Sequence, residues 1–299
     1  VNVVDTSIEL AGSLALPSPG PSALSLPHGV HFDVPEERYH RKVFGLVSKH
    51  MLDLVGESPL TYKSYIDAPI DPDDDTPEHF LLGNAAGCAT LEPERFRTAY
   101  ACEPSFGDCR KKENKAKRDE WRATYSGATL LSPAQYRDVT GMAASVRSHP
   151  RIARLLDMGS RSEVTLRWVD PETQLECKAR LDLWVPSVAV TLDLKTTQDA
   201  RAEAFERDCE RYGYHDQAAM YLEGLRALGI DPGPFLFGVV KKTSPYLRAV
   251  YGMPEEWIES GARRIRSRMR LMADCIDSGS WPGLPEEIQM LNRPRWAKD

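Results

Sequence analysis

Two aspartates, each near the end of a β-prone stretch, with a lysine two positions beyond the second, constrain this chain more than any other feature. They lie in Ala179-Arg-Leu-Asp182-Leu-Trp184 and Val190-Thr-Leu-Asp193-Leu-Lys195-Thr-Thr197. Alternation along a strand sends residues i and i+2 to one face, so Asp193 and Lys195 point into the same space. Glu163–Val169 is β-prone, Asp170-Pro-Glu-Thr173 reads as a turn, Leu175–Val185 is β-prone again, and Pro186-Ser187 turns the chain into Val188–Leu194. The expected unit is a three-stranded antiparallel meander in which a tight turn brings Asp182 and Asp193 side by side.

Close carboxylates repel, which raises one pKa unless a cation neutralises them. A magnesium ion removes that penalty and takes oxygen ligands, here Asp182, Asp193 and the backbone carbonyl of Leu194. Lys195 then faces a scissile phosphate, either stabilising developing charge as an ammonium or accepting a proton from the attacking water in neutral form. Such a site suits phosphodiester hydrolysis. Spacing alone leaves a second reading open, with both aspartates as solvated edge residues and Lys195 as their salt-bridge partner. Gln217 and Tyr221 stand at i and i+4 on the following helix and share a face. They either hold Lys195 or a phosphate by hydrogen bonds, or serve as a surface residue and a core residue.

The rest of the chain reads as soluble α/β. Of its 299 residues, 41% are hydrophobic and 27% charged, which is ordinary globular composition. No apolar run approaches the roughly 18–20 residues that cross a bilayer, and the first residues lack the pattern of a secretory signal. The six cysteines form no CxxC pair, so zinc-ribbon and redox-pair readings fall away and a reducing cytoplasm is the expected compartment. The net charge of −6 does not favour nucleic-acid binding, but clustered basic residues can outweigh it.

Residues 1–30, rich in Pro, Ser, Ala and Leu, read as a flexible lead-in, and 31–299 as a single domain. Pro35–Leu54 reads as helical, Asp71–Pro77 as an acidic turn or loop, and Glu78–Cys88 as a buried helix. The stretch 132–157 reads as two helices parted near His149-Pro150. Asp199–Leu228 is one long helix or two broken near Tyr212-Gly213, followed by a strand over Phe235–Lys241 and a helix over Pro254–Ile276. Strands with helices on both sides in sequence call for a mixed central β-sheet covered by helices.

The order Asp182, Asp193-Leu-Lys195, Gln217-Ala-Ala-Met-Tyr221 resembles the PD-(D/E)XK nuclease superfamily, in its RecB-like and lambda-exonuclease-like branch. Further segments bring the resemblance to the RecE-type (exonuclease VIII) phage recombination exonucleases. Among them are Tyr39-His40, Leu91-Glu-Pro-Glu94, Phe106-Gly-Asp-Cys-Arg110, Asn114-Lys115 and Tyr214-His-Asp-Gln217. The resemblance implies a restriction-endonuclease-like α/β core and a Mg2+-dependent exonuclease, with Mn2+ as a substitute ion. The enzyme would degrade the 5′ strand of linear duplex DNA processively, as a homo-oligomeric ring working with a single-strand annealing protein. It assigns metal binding to Asp182, Asp193 and Leu194, water activation to Lys195, and support to Gln217 and Tyr221.

One departure stands out. The family's early helix carries a metal-ligating histidine in a Gly-x-Ala-x-His run, whereas this chain reads Gly83-Asn-Ala-Ala-Gly87-Cys88. Glu163 is the spare acid, able to reach a metal directly or through water, or else an ordinary strand-end carboxylate. Gly87 also keeps open a catalytically impaired DNA-binding or assembly subunit. A RecB-like nuclease of different polarity would more often carry an iron–sulfur cysteine cluster, which this sequence lacks.

For DNA contact, Arg110, Lys111, Lys112, Lys115, Lys117 and Arg118, with Arg122 beyond, form the densest basic run. The plain alternative is a solvated charged segment. Trp121 beside it would stack on a base or simply pack. Arg263, Arg264, Arg266, Arg268 and Arg270 spread round a helix, so acid pairing or a subunit contact is expected for some of them. Resemblance to lambda-type exonucleases places Arg41 and Ser48 near a 5′ phosphate, with helix capping by Ser48 as the alternative.

Overall fold

The computed structural model describes residues 26–69 and 78–292, so Asp71–Pro77 and the lead-in up to residue 25 lie outside the described residues. In chain order the first elements are β1 (Gly29–His31), α1 (Glu36–His40), β2 (Leu46–Val47), α2 (Lys49–Glu57), α3 (Pro59–Asp67), α4 (Glu78–Leu91) and α5 (Pro93–Ala99). Then come β3 (Tyr100–Cys102), α6 (Lys112–Thr124), β4 (Thr129–Leu131), α7 (Pro133–Arg147) and α8 (Pro150–Asp157). The second half holds β5 (Arg161–Val169), β6 (Glu176–Val185), β7 (Val190–Thr197), α9 (Ala202–Tyr212), α10 (Tyr214–Ala227), β8 (Phe235–Lys241), β9 (Arg248–Gly252) and α11 (Glu255–Ser278).

A mixed seven-stranded sheet is ordered β1-β5-β6-β7-β8-β9, with β2 added against β6. β5, β6 and β7 form the expected antiparallel meander. β8 then lies parallel to β7. A parallel neighbour demands a crossover, which α9 and α10 supply. One face of the sheet is packed by α2, α10 and α11, where Met220, Leu225, Ile265 and Met269 meet Val164, Leu166, Trp168 and Leu181. The other is packed by α4, α7 and α8, where Ala85, Val139, Met142 and Ile152 meet Leu183, Val185 and Leu192. The architecture is thus a mixed α/β sheet flanked by helices. Apart from it, β3 and β4 make a separate two-stranded sheet whose connection contains α6.

Local chemistry explains the boundaries. Ser132 and Gln135 form a capping box at the start of α7, with Pro133 at the first turn, and Pro150 opens α8. Gly213, at φ 62°, ends α9 and starts α10, a backbone position that glycine takes without steric cost. Several expectations are corrected. Pro35–Leu54 is not one helix: α1 stops at His40, Gly45 takes a φ of 76°, and Ser48 caps a new helix. The third meander strand starts at Val190 instead of Val188, because Pro186–Val188 form a 3-10 turn and Ala189 is left-handed. Gly29 and Val30, at the end of the expected lead-in, already pair with β5.

Candidate active site

β6 and β7 are joined at only three pairs, Leu183↔Leu192, Trp184↔Thr191 and Val185↔Val190. Beyond them each strand stays bound to its other neighbour, β6 to β5 as far as Glu176↔Val169 and β7 to β8 as far as Thr197↔Lys241. The next pair in register would set Asp182 opposite Asp193, and there the ladder ends. The sheet therefore forks at the two aspartates, with Asp182 on one arm and Asp193 and Lys195 on the other. Asp182 replaces the missing ladder bond itself: its Oδ2 accepts the Leu194 N–H at 2.8 Å.

Glu163 belongs to the same row. Counting from Ser162↔Leu183 and Val164↔Leu181, it falls opposite Asp182, yet no pair forms there. Its φ of 52° explains the gap, a conformation that costs a non-glycine residue roughly 1–2 kcal/mol. Glu163, Asp182 and Asp193 thus stand at one register level on three neighbouring strands, and the Glu163 carboxylate meets Arg180 at 3.8 Å.

The second arm is tightly bound. Asp193 is 1% exposed; its Oδ1 accepts from the Gln217 amide at 2.7 Å and its Oδ2 meets the Lys195 ammonium at 2.6 Å. Lys195 also donates to Gln217 Oε1 at 2.9 Å and lies 4.6 Å from the centroid of the Tyr214 ring, within cation–π range. The Gln217 amide reaches the Tyr221 hydroxyl at 3.1 Å as well. Gln217 therefore touches acid, lysine and tyrosine at once. Tyr214 enters the sequence analysis only as the first residue of the Tyr214-His-Asp-Gln217 run; its position three residues before Gln217, on one helix face, is the signal that could have marked it as a partner of Lys195.

The two arms differ electrostatically. Burial, then the charges of Asp193 and Glu163, push the Asp182 carboxyl well above the usual range, against the opposing effects of Lys195 and the Leu194 N–H. Burial also pushes Glu163 up to about 7, with Arg180 opposing and Glu92 and Glu36 adding to the rise. For Lys195, burial pulls the ammonium down, but Asp193 and Asp182 outweigh it, and the net direction is upward. Burial leads the rise of the Tyr221 hydroxyl.

The sequence profile of the PDDEXK-like domain of unknown function (DUF3799) matches residues 55–294. The chain belongs to that family. Its fold, a mixed central sheet flanked by helices, is that of the PD-(D/E)XK nuclease superfamily. The solved structure of a candidate exonuclease from Eubacterium rectale is similar over 88% of this chain and 96% of its own, with a TM-score of 0.57 and 14% identity. That likeness speaks to fold alone. A phage-related exonuclease from Haemophilus somnus 129PT matches 66% of this chain and 95% of its own at 12% identity, but its TM-score of 0.32 gives it no weight. No curated protein matches.

In this PDDEXK-like chain the fork's donors are all oxygens. Among the described residues no group of three or more His, Cys, Asp or Glu side chains is arranged to hold a metal ion; a cation at the fork would draw on the two carboxylates and the Leu194 carbonyl. Two observations make that set fit a cation. Asp182 and Asp193 crowd each other electrostatically, and the buried Asp193 Oδ2 receives no aligned hydrogen bond despite its contact with Lys195. Hard oxygen donors suit Mg2+ or Mn2+, with water and substrate oxygens completing the shell.

Gly87 lies on α4, and a Cβ there would meet nothing within 4 Å. Its helix neighbours frame the fork. A Cβ at Gly83 would sit 3.6 Å from Thr196 Oγ1 of β7, and the Leu91 carbonyl accepts from Ser162 of β5 at 3.3 Å. Residues 83, 87 and 91 share one helix face, so Gly87 spans the gap between those strands with room for a side chain.

Among the described residues, the bonds made by the expected DNA-contact side chains are to local partners and not to the fork residues. Ser48 is buried and its Oγ accepts the Met51 N–H at 3.4 Å, as the cap of α2. Arg41 closes α1 and is exposed. α6 buries none of its residues. Arg110 pairs with Asp108, Arg118 with Asp119 and Arg122 with Glu103, while Lys111, Lys112, Lys115 and Lys117 are exposed. Trp121 packs between Tyr125 at 4.4 Å and Phe106 at 6.1 Å. The five arginines of α11 all face carboxylates, as the acid-pairing expectation had it for some: Arg263 with Glu259, Arg264 with Asp216, Arg266 with Asp170, Arg268 with Asp53 and Asp216, and Arg270 with Glu172. Among the described residues, no helix is long and apolar enough to cross a membrane.

Proposed function

We propose that this protein is a Mg2+-dependent exonuclease, able to use Mn2+, that digests linear duplex DNA from the 5′ end and leaves 3′ single strands for recombination. The observation that carries the nuclease reading is the fork, where Asp182, Asp193, Lys195 and Gln217 meet at the parting of β6 and β7. Asp182, Asp193 and the Leu194 carbonyl would hold the cation, and Glu163 stands beside them. When bound, that ion polarises the phosphate and lowers the pKa of a water. Lys195 keeps its ammonium beside the reacting phosphate, held by Gln217 Oε1 and the Tyr214 face, where it balances charge that grows as the phosphodiester is attacked. Gln217, anchored on Tyr221, fixes the distance between Asp193 and Lys195. The exposed lysines of α6, together with Arg110, Arg118 and Arg41, supply phosphate contacts whose strength falls with salt; Ser48 would assist only through the end of α2.

Polarity, processivity, a homo-oligomeric ring and hand-over to a single-strand annealing protein rest on the resemblance to RecE-type enzymes. Duplex DNA labelled at either the 5′ or the 3′ terminus tests the reading. The expected result is release of 5′ label as mononucleotide with Mg2+ and none with EDTA; release from the 3′ end instead indicates a RecB-like polarity. The room at Gly87 favours one second reading, an impaired DNA-binding subunit. Tight duplex binding without digestion in Mg2+ or Mn2+ would establish it.

A further inference from the structure

Asp216 immediately precedes Gln217 and is 2% exposed, yet it has no part in the fork. It faces the other way, into α11. Its Oδ1 accepts from Arg264 Nε at 2.9 Å and its Oδ2 from Arg268 Nη1 at 3.2 Å. Arg268 passes on to Asp53 of α2 at 3.1 Å. Asp53 in turn holds Lys49 at 2.7 Å, and Lys49 donates to the Tyr212 carbonyl at 2.8 Å, just before the break at Gly213. The chain of contacts closes on itself around the start of α10.

Backbone packing points to the same place. A Cβ on Gly261 would lie 2.3 Å from the His215 carbonyl, so α11 presses directly on the first turn of α10 there. Gly261, Arg264 and Arg268 are spaced i, i+3 and i+7, one face of α11. Gly56 of α2 makes way for the same arginine, since a Cβ there would lie 2.5 Å from Arg268 Nε. The Gln217 N–H donates to the Gly213 carbonyl at 3.1 Å, so Gln217 belongs to the turn that this bracket fixes.

We infer that Asp216, bracketed by Arg264 and Arg268, is a positioning residue that holds the first turn of α10 so that Gln217 can grip Asp193 and Lys195 together. Gln217 makes its bonds to both from one short side chain, and a displacement of about 1 Å at the helix start breaks one of them. Asp216 acts only through Gln217. The inference rests on the proposed cleavage at the fork, but its structural half does not need cleavage.

A double-mutant cycle with Gln217→Ala is the test. Asp216→Asn is expected to lower kcat on duplex DNA by about tenfold with KM unchanged. In Gln217→Ala the same substitution should add nothing further. Multiplied losses, or a wild-type kcat in Asp216→Asn, overturn the inference. Should Asp216→Asn not fold, Arg268→Gln at the more exposed end of the bracket takes its place in the cycle. The activity-independent readout is the Gln217 side-chain amide resonance, assigned by its loss in Gln217→Ala. In Asp216→Asn it should move and exchange faster with solvent, and an unmoved resonance overturns the inference even if the protein never cuts DNA.

Discussion

Asp170 and Asp182 sit near the ends of neighbouring strands β5 and β6, and their environments drive them in opposite directions. Asp170 is 2% exposed and receives Arg266 at 2.7 and 2.8 Å together with the Thr173 N–H and hydroxyl, each at 2.8 Å. Burial pushes its carboxyl up, but Arg266 and Thr173 outweigh burial and hold it below the usual range. Asp182 has one N–H for a partner, and burial, Asp193 and Glu163 drive it upward. The chain supplies the first acid with its cation and leaves the second short of one. Buried carboxylates satisfied in advance hold elements together; in the proposed function, the carboxylates crowded in the fork are where an external cation would bind.

Four substitutions or additions break or sharpen that contrast. The largest effect belongs to Asp182→Asn, which should cut DNA cleavage by about a thousandfold or more while the thermal midpoint holds or rises, because a crowding charge is removed and the amide oxygen can still accept the Leu194 N–H. End-label release and a melting curve on one preparation check both halves, and retained cleavage would count against the fork. Second is Mg2+ itself. At a concentration one hundred times its Kd it should stabilise the wild type by about 2.7 kcal/mol and leave Asp182→Asn almost unmoved, as differential scanning fluorimetry would show.

Third, Asp170→Asn should do the reverse of Asp182→Asn. It should cost about 2 kcal/mol in denaturant unfolding, a figure reduced because Arg266 keeps Glu172 and Glu223 within reach, and the folded fraction should cleave normally. The sign with pH follows from the lowered pKa. The stabilisation is present above the ordinary value of 3.8 and is lost as pH falls through the folded value. The gap between wild type and Asp170→Asn should therefore close below about pH 4. Smallest is Gly87→His, for which the helix has space. It should tighten the metal requirement by about tenfold, read as the Mg2+ concentration at half-maximal cleavage. No change would mean that a group already present, such as Glu163, does that work.

Much of this arrangement was legible in the sequence, and the reasons are local. Period-two alternation put Asp193 and Lys195 on one face, i, i+4 spacing put Gln217 and Tyr221 on another, and Pro and Gly marked the breaks at His149-Pro150 and Tyr212-Gly213. What alternation cannot say is where a ladder stops. The fork exists because β6 and β7 part after Leu183↔Leu192, and nothing in either strand's composition announces it. Glu163 was visible as an acid near a strand start, but its alignment with Asp182 depends on register. Short strands such as β1, β2 and β9 escaped because two to five residues hold too little periodicity. Asp216 escaped for another reason, since its partners Arg264 and Arg268 lie about fifty residues downstream and helix spacing on α11 alone spread the arginines around the circumference.

Anomalous diffraction from crystals soaked in Mn2+ tests the central claim most directly. The account predicts a peak at the root of the fork, about 2.0–2.3 Å from oxygens of Asp182, Asp193 and the Leu194 carbonyl. That peak should vanish in Asp193→Asn. A fork without density at saturating Mn2+, or a peak bound elsewhere on the protein, would contradict it.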